Sequence, residues 1–497
     1  MLSIDEIKDL LTKGERVGLE CKEATFAVPK SIFETYSSMA NTNGGVILLG
    51  VKENKKPMSY EVTGVVDADE MKKNIWSQLN DPKRTSTNIL VDDNIYTVDD
   101  EEKTILVIEV PRASYNVRPV YIGENPYSGT YKRNHEGDYH CSKDEVNSMI
   151  RDNSTEGNDG VIFEGYTIDD IDNETLQKYR TAFRVMNPSH VWIGLNDQEF
   201  LEMIGAYDRD RKAGVEGLTL AGLLMFGKGV VIRNKLSNIF MDYRDQSDTT
   251  EDVRWNDRIT YDGTWENNLY NFFFKTAQKL TNDLPKPFHL EGMTRIDDTP
   301  VHKAVREALI NMIIHADYFA QGTLKVIKYD DRYEITNPGT LKLSKEEIYQ
   351  GGNSKARNPK MQTMLRLIGY GDNAGSGFPT ILSVWKQQGW IEPDLEENFS
   401  LNQVTLILSF TKSSEKASEE KQAKIPSEDS KRRSTIRSEE LITAFLTKYG
   451  SLSTRELAQY LNLSEQRTRA ILSKMHGIEA IGNTSSRKYR IKKRVED

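Results

Sequence analysis

Cysteine is nearly missing: Cys21 and Cys141 are the two in 497 residues. That excludes a disulfide framework, and without a CxxC pair or a Cys/His cluster nothing points to zinc. Long apolar runs are missing too. The longest, at 46–51 and 218–226, fall far short of the ~20 residues a membrane helix needs. The first eleven residues are acidic and amphipathic rather than basic and then apolar, so no signal peptide is expected and the chain reads as cytoplasmic, without a membrane partner. Nor is there an excess of basic charge. With 66 Lys and Arg against 75 Asp and Glu the net charge is −9, so a nucleic-acid partner requires a local basic patch. No Gly-x4-Gly-Lys-Ser/Thr loop occurs, which removes a P-loop motor, and no repeat of solenoid period is visible.

What is present is ordinary globular composition, 37% hydrophobic and 28% charged, in a chain too long for one core. Three or four domains are expected at roughly 100–200 residues each. Residues 1–152 read as mixed α/β. Val17, Leu19 and Cys21 alternate as in a half-buried strand, and Ile32, Tyr36 and Met39 recur at helical spacing. Gly44-Gly45 precedes a buried strand at 46–51; a helix follows through Met71, Ile75 and Leu79, and a strand at 104–110. Residues 153–228 read as a helical connector, with 218–226 as one buried helix. Residues 229–410 alternate helix and strand signals again. The tract 411–435 is rich in Ser, Lys and Glu and reads as a flexible linker before a last domain at 436–497.

Carboxylates gather around the first strand. Glu20 and Lys22 share a face because the strand period is two, Glu15 precedes them beside Gly14, and Glu53 follows the strand at 46–51. Brought together, such acids could hold Mg2+ or Mn2+ for an in-line phosphodiester displacement, with Lys22 on a phosphate. Scattered surface acids are the alternative. The run Gly14-Glu15-Arg-Val-Gly-Leu-Glu20-Cys-Lys22-Glu23, followed by Ala40-Asn41-Thr42-Asn43-Gly44-Gly45, resembles the opening of a Schlafen AlbA-type domain over about residues 1–150. The resemblance implies an α/β nucleic-acid domain in which Glu15, Glu20 and Glu53 would be the metal-holding acids of a nuclease; the third stands where the nuclease pattern usually has Asp. Lys132 and Arg133, in the tract from Tyr121 to His140, are the candidate nucleic-acid contacts, while its tyrosines fit either base stacking or packing of a closing hairpin.

A second constellation lies on a helix at 301–317. Val305, Leu309, Met312 and Ile313 make its apolar face, whereas Glu307, Asn311 and His315 form a separate stripe at i, i+4 and i+8. An Asn oxygen can ligate Mg2+ while a Glu polarises water. Gly375-Ser376-Gly377 precedes a helix beginning near Pro379, whose free N–H groups could hold phosphate. As a set, Arg306-Glu307-Ala-Leu-Ile-Asn311-Met-Ile-Ile-His315-Ala-Asp317-Tyr318, Asn337-Pro338-Gly339, Ser354-Lys355-Ala-Arg357-Asn358-Pro359 and the GSG turn resemble the GHKL-type ATP-binding fold of RecG-like bacterial regulators. That implies an α/β sandwich binding ATP or another nucleotide. Glu307 and Asn311 would serve the Mg2+ and water, Asn337 and Gly339 would stand at the base, and Gly375 and Gly377 at the phosphates, with His315 and Asp317 also among the nucleotide-binding residues. Ala316 stands where the family usually has Arg, and no D-x-G-x-G box occurs, so binding rather than turnover is expected.

The final segment carries eleven Lys and Arg against seven Asp and Glu over 438–497. Helices at 438–449, 452–461 and 464–475 and two strands at 478–481 and 488–492 follow a winged helix-turn-helix order. Gln466, Arg467 and Arg469 would face a DNA groove, with Arg487 and Lys488 on the wing. Two functional readings remain open: a Schlafen-type metal-dependent endonuclease of RNA or DNA, gated by nucleotide and serving phage defence, and an ATP-responsive DNA-binding regulator. The nuclease is narrowly preferred because a pure binder has no need of converging acids. GHKL proteins commonly pair, so a homo-oligomer is expected.

Overall fold

The computed structural model describes the chain except residues 14–17, 56–57, 136, 155–156, 250–252, 287–289, 292–293, 296–297, 372–376, 413–441, 444–445, 448–449, 462–467, 469–471, 473–474, 476–477, 482–487 and 493–497. It divides into two units, Met1–Thr411 and Lys412–Asp497. Both are mixed α/β.

The first unit opens with α1 (Ile4–Lys13), β1 (Leu19–Lys22), α2 (Ser31–Asn41), β2 (Gly45–Leu49), β3 (Val51–Lys55), β4 (Met58–Val62), α3 (Ala68–Leu79), β5 (Ile95–Asp100) and β6 (Lys103–Val110). Four strands make a sheet in the order β1-β2-β6-β5, with β1 parallel to β2 and the other neighbours antiparallel. Strand alternation sends Ile47, Leu49, Leu106 and Ile108 to one side, against Tyr36, Met39 and Ile75 of α2 and α3. Leu19, Cys21, Leu48 and Val107 face the other side, against Ile7 of α1.

The run 46–51, expected as one strand, is two. Gly50 interrupts it at φ +89°, so close to Gly64 that a Cβ would meet that residue's carbonyl carbon at 2.9 Å. A side chain there would be both strained and obstructed. Beyond it, β3 leaves the sheet and pairs with β4 as a separate ribbon.

Next come α4 (Pro126–Gly129), the hairpin of β7 (Tyr131–Asn134) and β8 (Gly137–His140), and α5 (Lys143–Asn153), begun by a Ser142/Glu145 capping box. Then follow β9 (Ile162–Glu164), α6 (Asn173–Met186), α7 (Asp197–Met203), β10 (Tyr207–Asp210), β11 (Val215–Thr219), α8 (Leu220–Phe226) and α9 (Gly229–Lys235). The expected helical connector therefore also holds a three-stranded sheet, β10-β11-β9. The run 218–226 is not one helix either: the Thr219 hydroxyl accepts the Gly222 N–H, ending β11 and starting α8.

The rest of this unit is β12 (Ile239–Asp245), β13 (Asp257–Ile259), α10 (Leu269–Thr281), β14 (Leu290–Glu291), β15 (Thr294–Arg295), α11 (Pro300–His315), β16 (Gly322–Lys328), β17 (Arg332–Pro338), α12 (Lys345–Gln350), α13 (Pro359–Leu367), α14 (Gly377–Gln388), β18 (Asp394–Asn398) and β19 (Gln403–Ser409). A six-stranded sheet runs β13-β12-β16-β17-β19-β18; β12 and β16 are parallel and the other neighbours antiparallel. Helix α11 lies against β17 between α10 and α14, burying Val305, Leu309, Met312 and Ile313 as the periodicity predicts.

In the second unit, β20 (Leu452–Ser453), α15 (Thr454–Leu461), β21 (Ile478–Ile481) and β22 (Lys488–Ile491) surround Ile442, Leu446, Leu457 and Leu472, with sheet order β20-β22-β21. The helix expected at 452–461 starts two residues late. Ser453 acts as its cap, its hydroxyl accepting the Glu456 N–H (3.3 Å) while its own N–H reaches the Glu456 carboxylate (2.7 Å). That geometry keeps Leu452 and Ser453 extended against β22. Of the expected linker, residues 413–435 lie outside the described residues.

Candidate functional site: a nucleotide-sized pocket and a charge seam

Helix α11 starts on Thr299, whose hydroxyl accepts the His302 N–H, with Pro300 in its first turn. Its other end is held unusually fully. Asn358 donates its amide to the carbonyls of Ile313 (3.1 Å), Ile314 (3.2 Å) and Ala316 (2.8 Å), and the Arg357 guanidinium donates to that of His315. A cation and an amide thus satisfy carbonyls that a helix end leaves bare and complement its negative pole. Both residues come from the Ser354–Pro359 motif, to which sequence reasoning assigned no separate role.

Fixed in this way, α11 presents Glu307, Asn311 and His315 to a pocket with about 1070 Å³ of atom-free space, its mouth included. The floor is a cross-strand patch. Ile335 and Asn337 of β17 stand opposite Leu406 and Val404 of β19, and Leu395 of β18 opposite Leu406. Residues 340–343, Lys355 and Arg357 close one side, and Gly377 and Phe378 another. Gly377 lies so near Glu307 that a Cβ would fall 2.1 Å from its Oε1. Burial, with Arg357 and Lys342 near, pushes His315 down to about 4, so its ring is neutral at neutral pH; burial also lowers Lys342 to about 8. The pocket therefore offers an apolar slot ending in an acid, two amides and ammonium groups. That donor set suits a flat base carrying phosphates and a hydrated divalent cation.

Four residues placed at the nucleotide by sequence reasoning fare differently. Asp317 is absent from this wall. Its buried carboxylate accepts Ser148 Oγ (2.6 Å) and Arg151 Nη2 (2.9 Å), and the two guanidinium groups of Arg357 and Arg151 help hold its pKa below the usual carboxylate value. Gly339 stands behind the wall at φ +103°, packed on Arg357 and Asp317, so its role is to allow the turn. Asn337 is in the floor, its amide donating to the Pro338 carbonyl at 3.2 Å. Gly375 lies outside the described residues, whereas Gly377 starts α14 at the pocket edge.

The side of the pocket formed by residues 340–342 is also a seam with the N-terminal sheet. Arg112 Nη1 reaches Glu397 Oε2 (2.6 Å), its Nη2 reaches Glu397 Oε1 (3.0 Å) and the Leu341 carbonyl (2.8 Å), and Arg118 donates to the same carbonyl (3.1 Å). Arg357, 2% exposed at its side chain, grips Asp152 of α5 through two bonds of 2.6 Å. These arginines escaped sequence reasoning because their partners are remote.

At the first constellation, Glu20 is buried and fully paired: Arg133 Nη2 binds Oε2 at 2.7 Å, and Lys22 binds Oε1. Arg133 also holds Asp138 Oδ1 (2.9 Å) and the Leu19 carbonyl (3.0 Å), with no exposed side-chain surface. As a nucleic-acid contact it is therefore corrected: its charge is spent inside the domain. Lys132 pairs with Glu145 at 2.5 Å and stays partly exposed. Glu53 sits on the β3–β4 ribbon opposite Tyr60, and Glu15 lies outside the described residues. Among the described residues no group of three or more His, Cys, Asp or Glu could hold a metal. The hairpin that carries Arg133 is closed by Tyr131 packed on His140, ring centroids 4.3 Å apart. In the second unit Lys488 begins β22 beside Ser453, while Gln466, Arg467, Arg469 and Arg487 lie outside the described residues. No helix among the described residues is long and apolar enough to cross a membrane.

Comparison with known proteins agrees with both motif-based resemblances over their own segments. Residues 15–142 match the family described as Schlafen, AlbA_2, and residues 322–408 the family described as Putative ATP-dependent DNA helicase recG C-terminal. The second match begins after α11, so Glu307 and Asn311 stand at the pocket by geometry alone. Residues 147–242 match a domain of unknown function (DUF8451), which sequence reasoning did not anticipate. Among solved structures, the DIP2311 protein from Corynebacterium diphtheriae is 17% identical over 98% of this chain and 96% of its own, with a TM-score of 0.39. The N-terminal domain of a putative ATP-dependent DNA helicase RecG-related protein from Nitrosomonas europaea is 26% identical over 28% of this chain and 94% of its own, with a TM-score of 0.23. No curated protein matches the chain.

Proposed function

We propose that this chain is a nucleotide-responsive nucleic-acid-binding regulator. The observation that carries the reading is the pocket wall, where Glu307 and Asn311 project over an apolar cross-strand floor with Lys342 and Lys355 at the side. Asn311 and Glu307 would hold the hydrated Mg2+ of ATP or a related nucleotide, the lysines its phosphates, and the floor its base. Bound Mg2+ would supply charge neutralisation for those phosphates; the residues themselves orient and desolvate. The Schlafen AlbA_2 segment, and a winged helix-turn-helix in the second unit with Gln466, Arg467, Arg469, Arg487 and Lys488 facing DNA, would make the nucleic-acid contacts. Pairing of two chains accompanies this reading and is checked by sedimentation with and without nucleotide.

The competing reading is an endonuclease, with Glu15, Glu20 and Glu53 around Mg2+ or Mn2+ and a place in phage defence. What weighs against it is Glu20, whose two oxygens already belong to Arg133 and Lys22. Two cations beside one carboxylate disfavour a third, so these residues as they stand do not fit a metal ion.

One experiment addresses both. Full-length protein is titrated with a fluorescent ATP analogue and Mg2+, then with tRNA, single-stranded RNA and duplex DNA in Mn2+ or Mg2+. The regulator reading expects nucleotide binding weakened at least tenfold by Asn311→Ala, the loss of roughly one charge-assisted contact, and nucleic acid bound but uncut. Metal-dependent cutting that Glu20→Ala abolishes would replace it with the nuclease.

A further inference from the structure

The wall that closes one side of the pocket is the same stretch of chain that carries the N-terminal sheet's docking contacts. We infer that residues 340–342 act as a relay, through which an occupied pocket alters the N-terminal sheet, with Arg112, Arg118 and Tyr115 as the receiving side chains. This rests on the nucleotide-binding reading above and names how that site is coupled to the rest of the molecule.

Three observations converge on the relay. The Leu341 carbonyl accepts two guanidinium donors, Arg112 at 2.8 Å and Arg118 at 3.1 Å, while the Leu341 N–H binds Glu397 Oε1 at 2.7 Å. The carbonyl is thus committed across the seam and the N–H to Glu397 of β18, which itself holds Arg112, so displacing Leu341 must move Arg112, Arg118 and Glu397 with it. The Thr340 carbonyl accepts Arg357 Nη2 at 2.8 Å, and Arg357 holds Asp152 of α5. Lys342, which also lines the pocket, places its ammonium 4.6 Å from the centre of the Tyr115 ring. A ring face attracts an ammonium weakly; a phosphate carrying full charge in the pocket attracts it more strongly. Anion binding therefore draws Lys342 off Tyr115.

On the receiving side the contacts continue without a gap. Arg112 Nη1 lies 3.3 Å from Asn43 Oδ1, in the Asn-Thr-Asn-Gly-Gly loop that starts β2. Two residues past Arg118, the Val120 N–H donates to Asn41 Oδ1 (2.9 Å), and Asn41 Nδ2 returns to the carbonyls of Val120 (2.8 Å) and Tyr131 (3.0 Å). Tyr131 begins the hairpin whose Arg133 neutralises Glu20. A shift of residues 340–342 thus reaches both the Asn-Gly loop and the Glu20 pair. Spatial continuity is a route, and coupling is what must be measured.

The test uses the full chain, Mg2+ with ATP or a non-hydrolysable analogue, and fluorescent duplex DNA and single-stranded RNA. Neither Tyr115 nor Arg112 lines the pocket, so Tyr115→Leu and Arg112→Gln replace no residue of its wall. Wild-type protein is expected to change its nucleic-acid affinity at least ~5-fold at saturating nucleotide, and reciprocally, while both variants keep their nucleotide affinity within ~2-fold and lose the coupling. Hydrogen exchange at 41–45 and 131–134 should respond to nucleotide in wild type and not in the variants. Wild-type-sized coupling and exchange changes in both variants overturn the relay, as does nucleotide binding that moves neither readout in wild type. Failure of wild type to bind nucleotide at all instead overturns the parent reading, and the relay with it.

Discussion

Removing the carboxylate from Asp152 tests the seam most directly. Arg357 and Asp152 are 2% and 5% exposed at their side chains and share two bonds of 2.6 Å. Asp152→Ala leaves a buried guanidinium whose remaining partners are the carbonyls of Thr340 and His315. Breaking a buried pair from one side costs about 3–5 kcal/mol, and the two carbonyls place this case near 3. Replacing both partners with apolar residues, Asp152→Leu with Arg357→Met, removes the stranded charge. It also strips those two carbonyls of their donor, at about 1 kcal/mol each, so the double variant should sit roughly 2 kcal/mol below wild type and above Asp152→Ala. The assay is urea unfolding of the full chain followed by fluorescence, reading the transition that involves Trp385, which is buried in the pocket domain's core. A single-variant loss below about 1 kcal/mol, or a double variant worse than Asp152→Ala, would refute the reasoning.

Gly377→Ala sends a methyl to within 2.1 Å of Glu307 Oε1, the movable end of a side chain, and gives α14 a better helix former. Stability should therefore change by less than about 1 kcal/mol in urea, whereas affinity for a Mg2+–nucleotide should fall as Glu307 is displaced; unchanged affinity would separate Glu307 from the nucleotide. Two buried groups contribute to acid stability with opposite sign. His315 is pushed down to about 4, so its stability is present above an unfolded pKa of about 6.5 and is lost as pH falls through 4. Burial raises Asp159 to about 6, so its contribution is present below an unfolded pKa of about 3.9 and is lost as pH rises through 6. The two offset in wild type. Urea midpoints from about pH 4.5 to about pH 6.5 should drop more steeply on acidification in Asp159→Asn than in wild type, and His315→Gln should tilt the other way; parallel profiles would show that neither group titrates as described.

Much of this protein could be read from local pattern. Helical spacing at Val305, Leu309 and Met312 placed α11 and its polar stripe at Glu307, Asn311 and His315, because 3.6 residues per turn determine which side chains share a face. The helix expected at 452–461 is present, its start displaced by two residues through the Ser453 cap, and the two motif sets located the segments that match known families. Pattern failed where one residue changed the geometry of a uniform run: Gly50 and Thr219 each split what hydrophobicity alone presents as continuous. Charged residues were the other blind spot. Arg133 and Asp317 look like contacts for a ligand, yet Arg133 meets Glu20 across 113 positions and Asp317 meets Ser148 across 169. Periodicity reports which face a side chain occupies, and so the sequence by itself determined α11 and the stripe it presents to the pocket. Which charge meets which across the sheets depends on contacts between distant segments, and so tertiary structure alone decided that Glu20 is neutralised, that Asp317 holds α5, and that residues 340–342 form both pocket wall and seam.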